Sequence, residues 1–174
     1  PEVETVVRGI RPFVENKTIN DIIVRNPNLR YKMPDGFSNT IVGAKINNVS
    51  RRAKYILLEA DNDQVIVVHL GMSGSLIAYT EQQDAYKKHD HVVFIMEGQE
   101  YLIYNDPRRF GLVVSIAKDE LEQHKFFKHL GPEPLTNRFN AEYLCEALAN
   151  KKAPIKTALM DNMIVVGVGN IYAS

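Results

Sequence analysis

Hydrophobic residues recur along this 174-residue chain with two different periods. Over residues 1–14, Val3, Val6, Val7 and Ile10 fall on one side of a helix, with Glu2 and Glu4 at its positive end and Pro1 suited to a first turn. Residues 18–25 then read as a strand, followed by a Pro/Asn/Gly-rich connection through Gly36. From Ala44 to about Ala117 the text is β. Residues 53–59 and 65–70 flank the turn Asp61-Asn62-Asp63, residues 91–96 and 100–104 flank Glu97-Gly98, and 112–116 form a further strand. Many short strands with tight turns predict a sandwich or barrel. Helical character follows: a charged helix over 118–129, a linker over 130–135, an amphipathic helix over 140–150, a short one over 154–160, and another beginning near Ile171. The fold class is therefore α+β. An N-terminal helix and β-sandwich domain occupies 1–117, a connecting helix 118–129, and a helical domain begins over 130–174, where the text stops inside an element as if cut.

Composition narrows the picture. A hydrophobic content of 45% with 24% charged residues suits a soluble globular protein, and no apolar run is long enough to span a bilayer. The single cysteine, Cys145, excludes an internal disulfide or a multi-cysteine zinc site within these residues and is expected to be buried packing; a cytoplasmic setting fits. Formal charge is +0, which argues weakly against a nucleic-acid binder. The charges are unevenly spread, however. Arg51, Arg52 and Lys54, then Lys87 and Lys88, Arg108 and Arg109, and Lys151 and Lys152 form basic knots that would make a phosphate track if they shared a face.

Several segments carry candidate chemistry. Asp106-Pro107-Arg108-Arg109-Phe110-Gly111 reads either as a surface hairpin with a core Phe, or as two guanidinium forks and a ring able to wedge between bases. His69-Leu70-Gly71-Met72-Ser73-Gly74-Ser75-Leu76 is a strand-to-strand corner with Met72 in the core, or a loop presenting Met72 as a soft wedge. Alternation through residues 51–55 puts Arg52 and Lys54 on one face of a strand, where Lys54 could serve as charge and proton donor. Lys88-His89-Asp90-His91 places both imidazoles on one side of a strand; a phosphate-binding His and a structural His fit equally, and no third metal ligand is evident. Gly167-Val168-Gly169-Asn170 leads into a helix, as anion sites and tight helix packing both require.

In order, these segments, together with Pro1-Glu2-Val3-Glu4-Thr5-Val6, Leu130-Gly131-Pro132-Glu133-Pro134-Leu135 and Val166-Gly167-Val168-Gly169-Asn170-Ile171-Tyr172-Ala173-Ser174, resemble formamidopyrimidine-DNA glycosylase, the bacterial oxidised-purine repair family. The resemblance implies a two-layer β-sandwich with an N-terminal helix, the start of a helix–two-turn–helix domain, and base excision with abasic-site lysis on damaged duplex DNA by a monomer. It assigns phosphate contact and proton donation to Lys54. It assigns DNA contacts to His89, Arg108, Lys151 and Asn170, and the intercalating wedge to Met72, Arg108 and Phe110. In the family a Pro-Glu-Leu opening precedes the Pro-Glu-Val-Glu-Thr found here, so the nucleophilic proline and acidic glutamate are expected to be missing and these residues alone to be inactive. One zinc ion is implied in a C-terminal Cys-rich finger, with no metal or other cofactor in this chain. The alternatives are a non-catalytic DNA-binding module of the same fold and a protein-binding β-sandwich.

Overall fold

The helix α1 runs over Glu2–Val14 in the computed structural model, which describes residues 2–174; the expected place of Pro1 in the first turn lies outside them. Val7, Ile10 and Val14 are its buried stripe, with Val3 and Val6 packed beside them. The helix ends at Asn16, whose φ of 66° lies in the left-handed region that asparagine tolerates. The chain forms two compact units. Residues up to Arg51 with Tyr55–Glu120 make the first, and Arg52–Lys54 with Leu121–Ser174 the second.

The first unit is a β-sandwich. One sheet has the order β1 (Ile19–Val24), β6 (Asp90–Met96), β7 (Tyr101–Asn105), β5 (Ser75–Tyr79). The other has β2 (Ile46–Arg52), β3 (Tyr55–Ala60), β4 (Gln64–His69), β8 (Leu112–Ala117). Alternation sends Ile22, Phe94, Leu102 and Leu76 inward from the first sheet and Ile56, Ile66, Val68 and Val113 from the second, and α1 closes the same core. Both expected hairpin turns are present. Three elements lie outside the individually expected ones: β2, β5, and a short helix α2 (Phe37–Ile41) that buries Phe37 and Ile41 after Gly36 turns the chain at φ 82°. The strand expected over 53–59 begins only at Tyr55. Ala53 and Lys54 form the two-residue connection from β2 to β3, with Ala53 at φ 54°, so Arg52 and Lys54 do not share a strand face.

The second unit gathers Ala158, Ile164 and Val165 with Phe139, Leu144, Ala147, Leu148, Leu159 and Val168. Helix α3 (Ala141–Leu148) is capped by Asn140, whose Oδ1 accepts the Tyr143 N–H at 2.9 Å; α4 (Ile155–Leu159) starts after Pro154, and α5 (Asn170–Ala173) is one turn. Cys145 is exposed, not buried as expected, because Leu144, Ala147 and Leu148 take the packing side of α3. The connecting helix expected over 118–129 is a single 3-10 turn, Lys118–Glu120, followed by separate turns closed by bonds such as His124 N–H to Leu121 O and Phe127 N–H to His124 O. Its larger apolar residues, Leu121, Phe126 and Phe127, have no continuous helical spacing to dock on a core.

Two outcomes check this architecture. Phe94→Ala, deep in the sandwich, is expected to cost about 3–5 kcal/mol in a denaturant titration. Glu59 accepts from Lys118 at 3.0 Å and from Asn48 at 2.8 Å, and the Lys118 ammonium, with Asn48 helping, holds its carboxyl below the usual range against the opposing effect of burial. A depressed carboxyl stabilises the fold at neutral pH and loses that contribution as pH falls through its folded value. Glu59→Gln is therefore expected to lower stability at pH 7 by up to about 1 kcal/mol, and the difference from wild type should close in acid.

Candidate nucleic-acid interface

Asp106 follows β7 and is fully buried. A buried carboxylate is costly unless donors surround it. Its Oδ1 accepts the Ser73 hydroxyl at 2.8 Å, and its Oδ2 accepts the Gly111 N–H at 2.9 Å and the Tyr104 hydroxyl at 3.2 Å. Burial, then the Asp106 charge, pushes the Tyr104 phenol well above its ordinary pKa, so it remains a donor. The main chain of Asp106 is equally committed: its N–H donates to His89 O, and its carbonyl accepts from Arg109 N–H at 3.2 Å and from His91 Nε2 at 2.8 Å.

These bonds draw loop 70–74 against loop 106–111. The backbones meet so closely that a Cβ on Gly71 would stand 2.7 Å from Gly111 N, and one on Gly111 2.1 Å from the Tyr104 hydroxyl. Side chains that find no room inside are turned out. Met72 is 74% exposed and Phe110 46%, and Arg108, also exposed, lays its guanidinium 4.6 Å from the Phe110 ring centroid. Arg108 N–H reaches the same Ser73 hydroxyl at 3.3 Å. The residues expected as a wedge thus sit on adjoining loops with their apolar ends in solvent, and the core readings of Met72 and Phe110 are excluded.

His89 stands in the turn before β6, half-buried, rather than within a strand; a bulge between Asp90 and Val92 leaves His91 buried on Asp106 while the His89 ring lies 6.1 Å away. The two imidazoles still meet edge to face on one side, His91 buried and His89 half-buried. Asp90 fixes this turn, accepting from Lys87 N–H and Asn105 Nδ2, each at 2.7 Å, while Arg25 donates to the Lys87 and Asp90 carbonyls.

In the second unit, Lys54 projects from the β2–β3 turn and donates to Val168 O at 3.3 Å, with Gly169 so near that a Cβ there would lie 3.6 Å from Nζ. Asn170, exposed, opens α5. Lys151 is 3.4 Å from Asp161 Oδ2, an exposed pair of small strength. The basic knot at 51–54 is only partly available to a polyanion: Arg51 is engaged by Glu4 at 3.1 Å and Arg52 by Glu133 at 3.0 Å. Sequence reasoning gave Asp106, Ser73 and Glu133 no role. An acid directly ahead of Pro107 and Arg108 was the available signal for the first.

Among the described residues no group of three or more His, Cys, Asp and Glu side chains could hold a metal ion, and no helix is long and apolar enough to cross a membrane. Two substitutions separate presentation from packing. Phe110→Ala should change stability by less than about 1 kcal/mol, far from the 3–5 kcal/mol of a core Phe. Asp106→Asn should cost about 1.5–3 kcal/mol, because its amide faces donors the carboxylate accepted. A thermal melt of each reads both.

Comparison with known proteins accounts for both units. Residues 1–113 match the family model described as the formamidopyrimidine-DNA glycosylase N-terminal domain, and residues 130–174 that of the formamidopyrimidine-DNA glycosylase H2TH domain. Formamidopyrimidine-DNA glycosylases of Shewanella pealeana and of the Wolbachia of Drosophila simulans (strain wRi) are 50% and 47% identical over all 174 residues, which span 63% of each relative's length. Among solved structures, the Lactococcus lactis enzyme non-covalently bound to DNA containing an abasic site superposes with a TM-score of 0.91 at 31% identity, covering 99% of this chain and 65% of that one. The same enzyme with Fapy-dG-containing DNA gives 0.90 at 31% identity, over 99% and 64%. Sequence and fold agree throughout: this chain belongs to the formamidopyrimidine-DNA glycosylase family.

Proposed function

We propose that this chain is the lesion-reading part of a bacterial DNA glycosylase and abasic-site lyase that removes oxidised purines, 8-oxoguanine and formamidopyrimidines, from duplex DNA. The observation that carries the reading is the outward projection of Met72, Arg108 and Phe110 from two loops locked together beneath them. An exposed methionine and phenylalanine on adjoining loops are unfavourable in water and serve when a partner covers them. A glycosylase extrudes its nucleotide at a cost of a few kcal/mol, and the space left in the stack must be filled. Methionine offers soft bulk, phenylalanine a stacking plane, and arginine a fork for the orphaned base or a phosphate. That the Lactococcus relative was solved with abasic and Fapy-dG DNA supports the same substrate class here.

His89, Arg108, Asn170 and Lys151 hold the phosphate backbone in this reading. Lys54 has a further task. Family chemistry passes through an iminium between a proline amine and the sugar, which acidifies the neighbouring proton and releases the phosphates by β,δ-elimination. A lysine at the backbone neutralises phosphate charge and supplies a proton there. In this reading the protein works as a monomer in the cytoplasm, and one zinc ion belongs to the family's Cys-rich finger.

Titration of the full-length protein with fluorescent duplexes tests the reading. Phe110→Ala is expected to weaken binding to an abasic-site duplex by about tenfold or more, or 1.4 kcal/mol, while hardly affecting undamaged duplex. Lys54→Ala should weaken both and reduce the log–log salt slope by about one. Equal loss on damaged and undamaged DNA for Phe110→Ala would remove the wedge assignment.

A further inference from the structure

We infer that Glu133 is a positioning residue for Lys54, holding the turn from which the lysine reaches DNA; this rests on the role proposed for Lys54 above. Glu133 stands between Pro132 and Pro134. One ring fixes the backbone before it, and the other confines Glu133 itself to extended conformations, so its carboxylate has a stiff base. From that base Oε1 accepts two donors of the β2–β3 turn, Ala53 N–H at 2.7 Å and Arg52 Nη1 at 3.0 Å. The other guanidinium nitrogen of Arg52 is held by Gly131 O at 2.7 Å and Leu130 O at 3.2 Å. The preceding linker and the turn are thereby tied at four points.

The tie is needed because of Ala53. Its φ of 54° is left-handed, which a residue with a Cβ adopts at a cost, and it is buried, so its N–H requires a partner. Without the carboxylate the turn would relax toward ordinary backbone angles, and Lys54, the next residue, would change direction. The same linker also braces what Lys54 faces. Gly131 N–H donates to Asn162 O at 2.8 Å, and Pro132 O accepts Val166 N–H at 3.1 Å. Two residues beyond Val166, Val168 O receives the lysine at 3.3 Å. Residues 130–133 thus set the position of Lys54 and of the Gly167–Asn170 loop together.

Single-turnover cleavage of a pre-formed abasic-site duplex by the full-length protein, at saturating protein, tests this beside separate affinity and melting measurements. Glu133→Ala is expected to slow cleavage by about tenfold or more with affinity changed less than about threefold. Glu133→Gln, which keeps an acceptor for Ala53 N–H, should lose less. Adding Ala53→Gly to Glu133→Ala should recover part of the rate, since glycine takes positive φ without support. Should Glu133→Ala fail to fold, the ratio of Glu133→Gln to wild type, with and without Ala53→Gly, makes the same comparison. Unchanged cleavage by Glu133→Ala, or a loss that Ala53→Gly does not relieve, overturns the proposal. Lys54→Ala is the control: wild-type cleavage by that variant would refute the lysine's role itself, whereas impaired Lys54→Ala beside normal Glu133→Ala refutes only the positioning.

Discussion

The loops of the first unit depend on one buried carboxylate. Asp106 is wholly removed from water and survives there because Ser73, Tyr104 and Gly111 donate to it from three segments. Satisfying it requires loops 70–74 and 106–111 to approach until only glycine fits at 71 and 111. With the interior so filled, Met72, Arg108 and Phe110 have nowhere to go but outward. Their exposure is therefore a consequence of how a charge is buried, and the proposed wedge is already shaped in the DNA-free protein. Preorganisation of this kind reduces the ordering cost of binding.

The second unit repeats the device in smaller form. Among the described residues, positive φ outside glycine occurs at Asn16, Ala53, Asp63, Gln99 and Arg109. Asn16 ends a helix, and Asp63 and Gln99 lie in hairpin connections, where such angles are usual. Ala53 and Arg109 are the two that adjoin proposed DNA-contacting residues, and each is anchored through an acid: Ala53 by the Glu133 carboxylate, Arg109 by the carbonyl of Asp106. Local strain is retained where a side chain must be aimed, and an acidic residue nearby sustains it.

Much of this was legible in the sequence, for identifiable reasons. β3, β4, β6 and β7 are short, nearly continuous apolar runs, β-branched or aromatic and bounded by turn residues, so those strands could be read directly. α2 escaped because five residues carry too little periodicity, and the 118–129 segment misled because charge richness suggests helix while its apolar spacing supports none. Met72 and Phe110 were recognisable from the glycines and proline around them. What could not be read was which polar groups face inward. Asp106, Ser73 and Glu133 look like ordinary surface residues until topology brings β4, β7 and the linkers to their partners. That His91 is buried on Asp106 while His89 stands half-buried in the preceding turn depended on a bulge that no local spacing announces. Cys145 shows the converse: apolar neighbours in sequence were not its neighbours in space.

Asp106 locks the loops that carry the proposed wedge in the DNA-free protein. Native-state amide hydrogen exchange tests it most directly, at Gly111, whose N–H donates to Asp106 Oδ2, and at Gly74, whose N–H donates to Leu70 O. If the lock is intact, both amides exchange with protection close to that of the β4 and β7 strands beneath them, and Asp106→Asn lowers that protection selectively. Exchange of Gly111 and Gly74 at the rate of an open surface loop in the free protein would contradict the account.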